Sequence, residues 1–320
     1  MKQQNKTFSF FCLFTLCFCL LVILWGAWVR ISHSGDGCGQ SWPSCQGQYL
    51  IDSGEQQKTW IEWIHRATSS LFGIMVIWLF IWSFLKFPFR HPVSKSVLCI
   101  FLFTISEALI GAGLVLAGLT GDNTSPARVL VMNLHLLNSV LLVSSLFICW
   151  RLSLGKKFSF FNRMNEGSDR LSKALFLFVF FLIAFFGSVS SLASSLFPSP
   201  SLLEGLALDF NPDSPWLIRL RWLHPFLALS FGGAFLYYYF FQDKREKGTR
   251  TVLQKIFIVC VSLTLFSGLM NLLLLSPVFL KLVHLLIVYL LVMSFILTLE
   301  CSIERIKGYF YCNTLEEEGK

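Results

Sequence analysis

The chain has 320 residues, of which 55% are hydrophobic and only 14% are charged, and its mean hydropathy is +0.65. Soluble domains carry about 25% charged residues, so this composition excludes a soluble fold. The net charge of +8 comes from short basic clusters between long apolar runs. It therefore reports membrane topology and gives no reason to expect nucleic acid as a partner.

Eight apolar runs are long enough to cross a lipid bilayer as helices, because about 20 apolar residues span its hydrocarbon core. In chain order they lie at 8–30, 60–85, 96–119, 129–151, 172–195, 217–241, 252–275 and 278–300. The first run follows Lys2 and Lys6 as a signal peptide would, but it is too long for one and has no clean cleavage site. We expect it to remain as a helix. The runs are also too uniformly apolar for the alternating strands of a barrel.

The distribution of lysine and arginine predicts the orientation of these helices, since basic residues accumulate in cytoplasmic connections. Most of the 26 basic residues fall in the two termini and in the second, fourth and sixth connections. We therefore expect a multi-pass protein of the plasma (inner) membrane with both termini cytoplasmic. The odd-numbered connections then lie outside.

The two halves of the chain repeat each other weakly. Ile61–His65 opens the second predicted helix as Leu220–His224 opens the sixth, and the fourth and eighth helices both contain His-Leu-Leu. The sequence predicts an all-α membrane protein of two tandem four-helix bundles, related by a pseudo-twofold axis along the membrane normal. The expected division is an N-terminal bundle at 1–151, a cytoplasmic linker at 152–171 and a C-terminal bundle at 172–320.

Four histidines stand near the outer ends of alternate helices: His65, His135, His224 and His284. A lone imidazole in a membrane helix is as often a simple helix–helix hydrogen bond, but four at one depth indicate a functional site. Two imidazoles that face each other inside a bundle are typical of a bis-histidine haem site. The repeat pairs His65 with His135, and His224 with His284. Zinc is less favoured, because it usually takes three or four ligands.

Ionisable side chains lie beside these histidines. Glu62 precedes His65 by three residues and Arg66 follows it, whereas the second half has Arg221 and Pro225 at the equivalent positions. Glu62 and Arg66 have a simple interpretation as an ion pair, and a functional one in which the carboxylate accepts protons during an oxidation. Arginines near the outer ends are candidates for binding haem propionates. They are Arg66, Arg128, Arg219 and Arg221. Glu107, in the middle of the third helix, receives no role from the sequence.

Two of the ten cysteines, Cys38 and Cys45, flank a short segment of the first outer loop. An oxidising compartment favours a disulfide between them. The bond would stiffen the loop over the first histidine pair, and a redox role is left open. The other eight cysteines lie in helices or on the cytoplasmic side, where packing explains them.

At these residues the sequence resembles the haem A synthase family. Gly26–Arg30 and the stretch from Ser34 to Cys45, with its Trp42-Pro43 pair, are similar to the first outer loop of that family. Glu62-Trp63-Ile64-His65-Arg66 matches its Glu-x-x-His-Arg element. His135, His224 and His284 fall where the family has its other helix histidines.

The resemblance implies an oxidoreductase that converts the C8 methyl of haem O into the formyl of haem A for terminal oxidases. It implies that the N-terminal half, with Glu62, His65 and His135 as catalytic residues, takes haem O as substrate. The C-terminal half would hold a resident haem b through His224 and His284. The implied partners are haem O and its synthase, an unidentified electron acceptor, and the lipid bilayer. Family members also carry a second cysteine pair in the third outer loop, but this chain has none between 195 and 217.

Two other functions remain open at this point. A di-haem b-type membrane cytochrome would use the same four histidines for electron transfer alone. A haem transporter would need polar or broken helices at the membrane midplane, where Glu107 is the main candidate. The Glu62/Arg221 asymmetry and the cysteine loop favour the enzyme.

Overall fold

The computed structural model describes residues 6–158, 167–237, 240, 252–306 and 309–313. The helices of this part are α1 (Lys6–Ile31), α2 (Gln57–Lys86), α3 (Pro92–Leu116), α4 (Pro126–Ser153), α5 (Gly167–Leu196), α6 (Leu202–Phe210), α7 (Trp216–Arg221), α8 (Leu223–Tyr237), α9 (Val252–Leu273) and α10 (Val278–Thr298). Three short strands accompany them: β1 (Lys157–Phe158), β2 (Glu300–Ile306) and β3 (Tyr309–Asn313).

The predicted membrane character is confirmed. Within the described ranges, seven helical segments are long and apolar enough to cross a bilayer, namely α1 to α4, residues 177–196 of α5, α9 and α10. Large apolar side chains such as Phe10, Leu21 and Leu85 are more than 60% exposed on their outer faces. Lipid around the bundle explains that exposure, since the hydrocarbon core of a bilayer is as apolar as these side chains.

The predicted sixth helix, 217–241, is not continuous. It divides into α7 and α8 at Trp222, and the last part of the predicted run lies outside the described residues. Pro225 explains the interruption. It has no backbone N–H to bond the carbonyl of Arg221, and its ring crowds that carbonyl. In the part of the chain that the structure describes, seven spanning helices and the broken pair α7–α8 stand where eight continuous spans were predicted.

The prediction of an all-α fold needs one addition. Strand β2 pairs antiparallel with both β1 and β3, with Ser302 opposite Asn313 at one end of the second ladder. β2 begins two residues after α10 ends, where the predicted eighth helix was expected to continue to residue 300. The short α6 between α5 and α7 was also unpredicted.

Two of the spanning helices begin with a proline in the first turn and a capping side chain just before it. The hydroxyl of Ser125 accepts the Arg128 backbone N–H at 3.3 Å, and Nδ1 of His91 accepts that of Val93 at 3.2 Å. Proline suits this position because its missing N–H would have no helical partner there. Partial burial lowers the pKa of His91, so the neutral ring that can accept this hydrogen bond is favoured.

The two halves of the chain share packing. Helix α1 contacts α2 and α4 of its own half, and also α5 and α10 of the other half. The largest core cluster joins Phe8, Leu79 and Leu146 of the first half to Tyr289 and Met293 of α10. The interior between α1, α4, α5 and α10 is therefore built by both repeats together.

Candidate functional site

One cavity of about 610 Å³ contains all four predicted histidines in its lining: His65, His135, His224 and His284. His65 is the ninth residue of α2, His135 the tenth of α4 and His284 the seventh of α10, while His224 lies at the start of α8. The ring centroids of His224 and His284 are 6.3 Å apart. The sequence predicted one site in each half, whereas the structure places both pairs on the walls of a common cavity.

A glycine on the preceding spanning helix faces each of the first histidines of the two halves. A Cβ added to Gly26 of α1 would lie 2.7 Å from Cε1 of His65. One added to Gly187 of α5 would lie 2.9 Å from Cε1 of His224. Both separations are far below van der Waals contact, so any larger residue at these positions would displace the imidazole.

The second histidine of each half also faces a glycine, but at a longer distance. A Cβ on Gly268 of α9 would lie 3.3 Å from Cε1 of His284, and one on Gly111 of α3 would lie 3.8 Å from that of His135. The repeat therefore consists of a glycine on one helix and an imidazole on the next. Small residues at 111 and 268 were visible in the sequence, but the pairing of glycine with histidine required the structure.

In the second half, hydrogen bonds fix which nitrogen of each imidazole carries the proton. Nδ1 of His224 donates to the carbonyl of Ile183 at 3.0 Å. The hydroxyl of Ser267 donates to the carbonyl of Thr264, so it accepts from Nδ1 of His284 at 2.8 Å. Both rings thereby keep the lone pair on Nε2, which is the arrangement found in metal-ligating histidines.

In the first half, a carboxylate stands beside one imidazole. Nδ1 of His135 lies 3.3 Å from Oε1 of Glu107, although the angles are not those of a hydrogen bond. Oε2 of Glu107 accepts from the side-chain amide of Asn138, which in turn accepts from the hydroxyl of Ser106 at 2.7 Å. Nδ1 of His65 is buried and has no hydrogen-bond partner in the described part of the chain. Glu107, which the sequence left without a role, is thus the carboxylate nearest to His135.

Glu62 is buried, with 3% of its surface exposed, and both of its oxygens are occupied. Oε1 accepts from the guanidinium of Arg66 at 2.5 Å, and Oε2 accepts from the backbone N–H of Cys38 at 2.8 Å. These two hydrogen bonds hold the carboxylate group in one position. The predicted ion pair is therefore present, and it lies on the wall of the cavity.

The predicted disulfide between Cys38 and Cys45 is confirmed. The ring that it closes is fixed to α2 by Arg66, which donates to the carbonyls of Ser41 and Ser44, each at 2.6 Å. Trp42 and Pro43 of the same loop also line the cavity. The cysteine loop thus covers the first histidine pair and holds the N–H that binds Glu62.

The four arginines predicted to bind propionates fall into two groups. Arg66 and Arg128 line the cavity, and Arg128 donates to the carbonyls of Gly121 and Asn123. Arg219 is exposed, and it lies outside the cavity lining, as does Arg221.

Arg221 is engaged elsewhere, with Asp209 of α6 at 2.7 Å. It also donates to the hydroxyl of Ser199 and to the carbonyl of Gly205. Burial raises the pKa of Asp209, and the neighbouring Arg221 acts in the opposite direction. The guanidinium at the position equivalent to Glu62 is therefore bound to the α6 segment.

Sequence reasoning missed two cations that do line the cavity, Arg30 at the end of α1 and Lys281 in the first turn of α10. Neither was among the arginines predicted to bind propionates. The sequence did contain a signal for them. Each is a basic residue near the end of a helix, and no acidic residue lies one helical turn away.

The donor set of this cavity fits a porphyrin that is held by paired imidazoles. Nε2 is left free on the second-half rings, glycines make room for the imidazoles, and the walls are mostly apolar. The described residues contain no group of three or more histidine, cysteine or acidic side chains that could hold a metal ion. That arrangement favours a two-imidazole site over a zinc site.

A bundle of apolar helices around a cavity with two histidine pairs defines a multi-pass membrane protein with a candidate haem site. The chain belongs to the COX15-CtaA family of cytochrome oxidase assembly proteins, which it matches over residues 9–296. The resemblance to haem A synthases is thereby confirmed, and several relatives carry that name.

Three relatives illustrate the extent of the likeness. A Thermus thermophilus protein named protoheme IX farnesyltransferase is 35% identical over 289 residues, which cover 89% of this chain and 47% of that protein. The heme A synthase of Exiguobacterium sp. is 37% identical over 113 residues, 35% of this chain and 37% of the relative. That of Symbiobacterium thermophilum is 35% identical over 116 residues, 36% of this chain and 35% of the relative. The chain spans about half the length of the Thermus relative.

Proposed function

We propose that the protein is a haem A synthase that oxidises the C8 methyl group of haem O to the formyl group of haem A. The observation that carries this proposal is Glu62. It is a buried carboxylate, held by Arg66 and the Cys38 N–H, on the wall of a cavity that also contains two histidine pairs.

The two halves take different parts in the proposed reaction. The N-terminal unit, 1–151, would receive haem O as substrate between His65 and His135. The C-terminal unit, 172–320, would hold haem b through His224 and His284, and the segment 152–171 links the two. When bound, haem b supplies one-electron redox chemistry.

The residues of the first half supply proton handling and orientation. With water as the oxygen source, conversion of a methyl into a formyl group releases four protons and delivers four electrons to the external electron acceptor. The Glu62 carboxylate is placed to accept a proton. Arg66 and the Cys38 N–H hold its two oxygens, so the group is positioned before the substrate arrives. Glu107 lies 3.3 Å from Nδ1 of His135 and is a second carboxylate beside the proposed substrate site. Trp42 and Pro43 of the cysteine loop line the cavity.

The proposed location is the plasma membrane, with both termini cytoplasmic and the cavity toward the outer face. The basic residues of the even-numbered connections support this orientation. The proposed partner is the enzyme that makes haem O. It is supported by the Thermus relative, whose name is that of a protohaem farnesyltransferase and of which this chain covers only 47%.

The test is co-expression with a haem O–forming farnesyltransferase, followed by pigment extraction and mass analysis. We expect haem A in the extract, and none from cells that carry the farnesyltransferase alone. A well-folded protein that keeps its haem but yields no formyl haem would contradict the proposal. That outcome would favour a di-haem b-type cytochrome, and protein without any bound haem would exclude both.

A further inference from the structure

The charged side chains on the cavity wall are unequal in number. Among the described lining residues, the cations are Arg30, Arg66, Arg128 and Lys281, and the carboxylates are Glu62 and Glu107. Four cationic side chains therefore face two anionic ones. A buried cation is costly unless an anion compensates it.

Both carboxylates already have partners of their own. Glu62 is bonded to Arg66 and to the loop, and Glu107 to Asn138 and the region of His135. Arg128 donates to the carbonyls of Gly121 and Asn123, and the loop carboxylates Asp36 and Asp122 lie near enough to act on its charge. The uncompensated charge is therefore concentrated on the cations that have no carboxylate contact.

Arg30 is one of these cations, and its hydrogen bonds are incomplete. Its guanidinium donates to the hydroxyl of Ser191 at 3.0 Å and lies 3.6 Å from the sulfur of Met132, which is a weak acceptor. Its Nε is buried and has no partner in the described part of the chain. Arg30 belongs to α1 of the first half, whereas Ser191 belongs to α5 of the second.

Lys281 completes the arrangement from α10. Its ammonium group donates to the hydroxyl of Ser195 at 3.0 Å, and that hydroxyl donates to the carbonyl of Ser191. Ser191 and Ser195 are one turn apart on α5. Arg30 and Lys281 therefore converge on the same stripe of α5, at the junction of the two halves. Each also has donor capacity left for a further acceptor.

We propose that Arg30 and Lys281 form an anion site at this junction, which binds the carboxylate groups of the ligand in the cavity. Under the proposed function, on which this identification rests, the ligand is a haem. The propionate groups of a haem are anionic, so they can compensate cations on the wall. A guanidinium binds a carboxylate through two N–H groups and an ammonium binds it as a point charge.

The test compares two probes that differ only in these charges, protohaem IX and its dimethyl ester. Binding is followed by absorption titration of the purified protein in phosphatidylcholine nanodiscs, so no turnover is needed. We expect the wild type to bind protohaem at least tenfold more tightly than the ester. Arg30→Gln and Lys281→Gln should each lose about tenfold in protohaem affinity, or about 1.4 kcal/mol, and bind the ester as the wild type does.

Two variants serve as controls. Lys58→Gln removes a half-exposed cation that lies 3.8 Å from Asp36 and outside the cavity lining, and it should change neither affinity. Arg30→Lys keeps the charge and should retain most of the protohaem affinity. The comparison of the two probes on the wild type needs no variant, so misfolding of Arg30→Gln would not prevent the test.

The outcomes separate the two proposals. Equal affinity of the wild type for protohaem and the ester, with both bound, would overturn the anion site and leave the proposed function standing. Failure of the wild type to bind either probe would overturn the proposed function and the anion site with it. If phosphatidylglycerol nanodiscs weakened protohaem binding in the wild type but not in Arg30→Gln, the site would bind a lipid phosphate, and the assignment to haem carboxylates would be wrong.

Discussion

The two histidine pairs have the same scaffold but different surroundings. In each half, glycines on one helix give space to imidazoles on the next. Around His224 and His284 the hydrogen-bond partners are a backbone carbonyl and a hydroxyl. Around His65 and His135 the described cavity wall contains Glu62 and Glu107, and it has no carboxylate from the second half. The two halves therefore share one arrangement of glycines and histidines. On the described wall, the carboxylates that could exchange protons belong to the first half alone.

The largest expected effect is on the second pair. Under the proposed function, His224→Ala or His284→Ala should abolish the low-spin haem b spectrum of the purified protein, because each change removes one of the two histidines that would hold haem b. His65→Ala, the matched change in the first half, should keep that spectrum and abolish haem A formation. Loss of the resident spectrum in His65→Ala would contradict the division of labour between the halves.

Glu62→Gln addresses the first pair alone. The amide keeps the shape of the side chain but cannot accept a proton, so haem A yield should fall by about 100-fold or more. The resident haem spectrum should be unchanged. Glu204→Gln is the control, since this carboxylate is exposed on α6 and does not line the cavity. Turnover of Glu62→Gln at half the wild-type rate would remove the proposed proton acceptor.

Alanine substitutions of the glycines that face the histidines should have smaller effects. Gly187→Ala should shift the resident haem spectrum and weaken haem retention by roughly tenfold, a cost on the order of 1 kcal/mol. The cause is a methyl group that approaches His224 to 2.9 Å. Gly26→Ala should instead lower haem A yield and leave that spectrum alone. Gly113→Ala, whose added Cβ meets no atom within 4 Å and lies outside the cavity lining, should do neither.

The smallest effect concerns pH and lies away from the cavity. Burial lowers the pKa of His91 in the folded protein, so the unfolded chain binds more protons than the folded one near its ordinary pKa of about 6.5. The stability that this neutral N-cap provides is present above that pH and is lost as the pH falls. The wild type should therefore lose slightly more thermal stability between pH 7.5 and 5.5, roughly, than His91→Asn, which caps without titrating. Identical pH profiles would show that the cap contributes nothing.

Much of the candidate site was predictable because polar groups are conspicuous in apolar helices. Position or spacing in the sequence distinguishes the four histidines, the Glu62–Arg66 pair and the Cys38–Cys45 bond. The interruption at Trp222 also had a signal, since Pro225 falls four residues after the carbonyl that it cannot bond.

The common cavity and its cations were not predictable from local patterns. They depend on α1 of the first half packing against α5 and α10 of the second, which no short-range periodicity encodes. Arg30 became significant only when its neighbours proved to be Ser191 and Met132 rather than an acidic side chain. The position of Arg221 likewise depended on α6, a helix that brings Asp209 to it.

His33, just beyond the end of α1, contacts residues of both repeats. Its Nδ1 lies 3.0 Å from a carboxylate oxygen of Asp122, and its Nε2 lies 3.0 Å from the carbonyl of Ser195, whose hydroxyl also binds Lys281. Through these two contacts the ring joins the loop of the first half to α5 of the second half. His33→Ala should remove both contacts, and amide hydrogen exchange across residues 117–125 should then be faster than in the wild type.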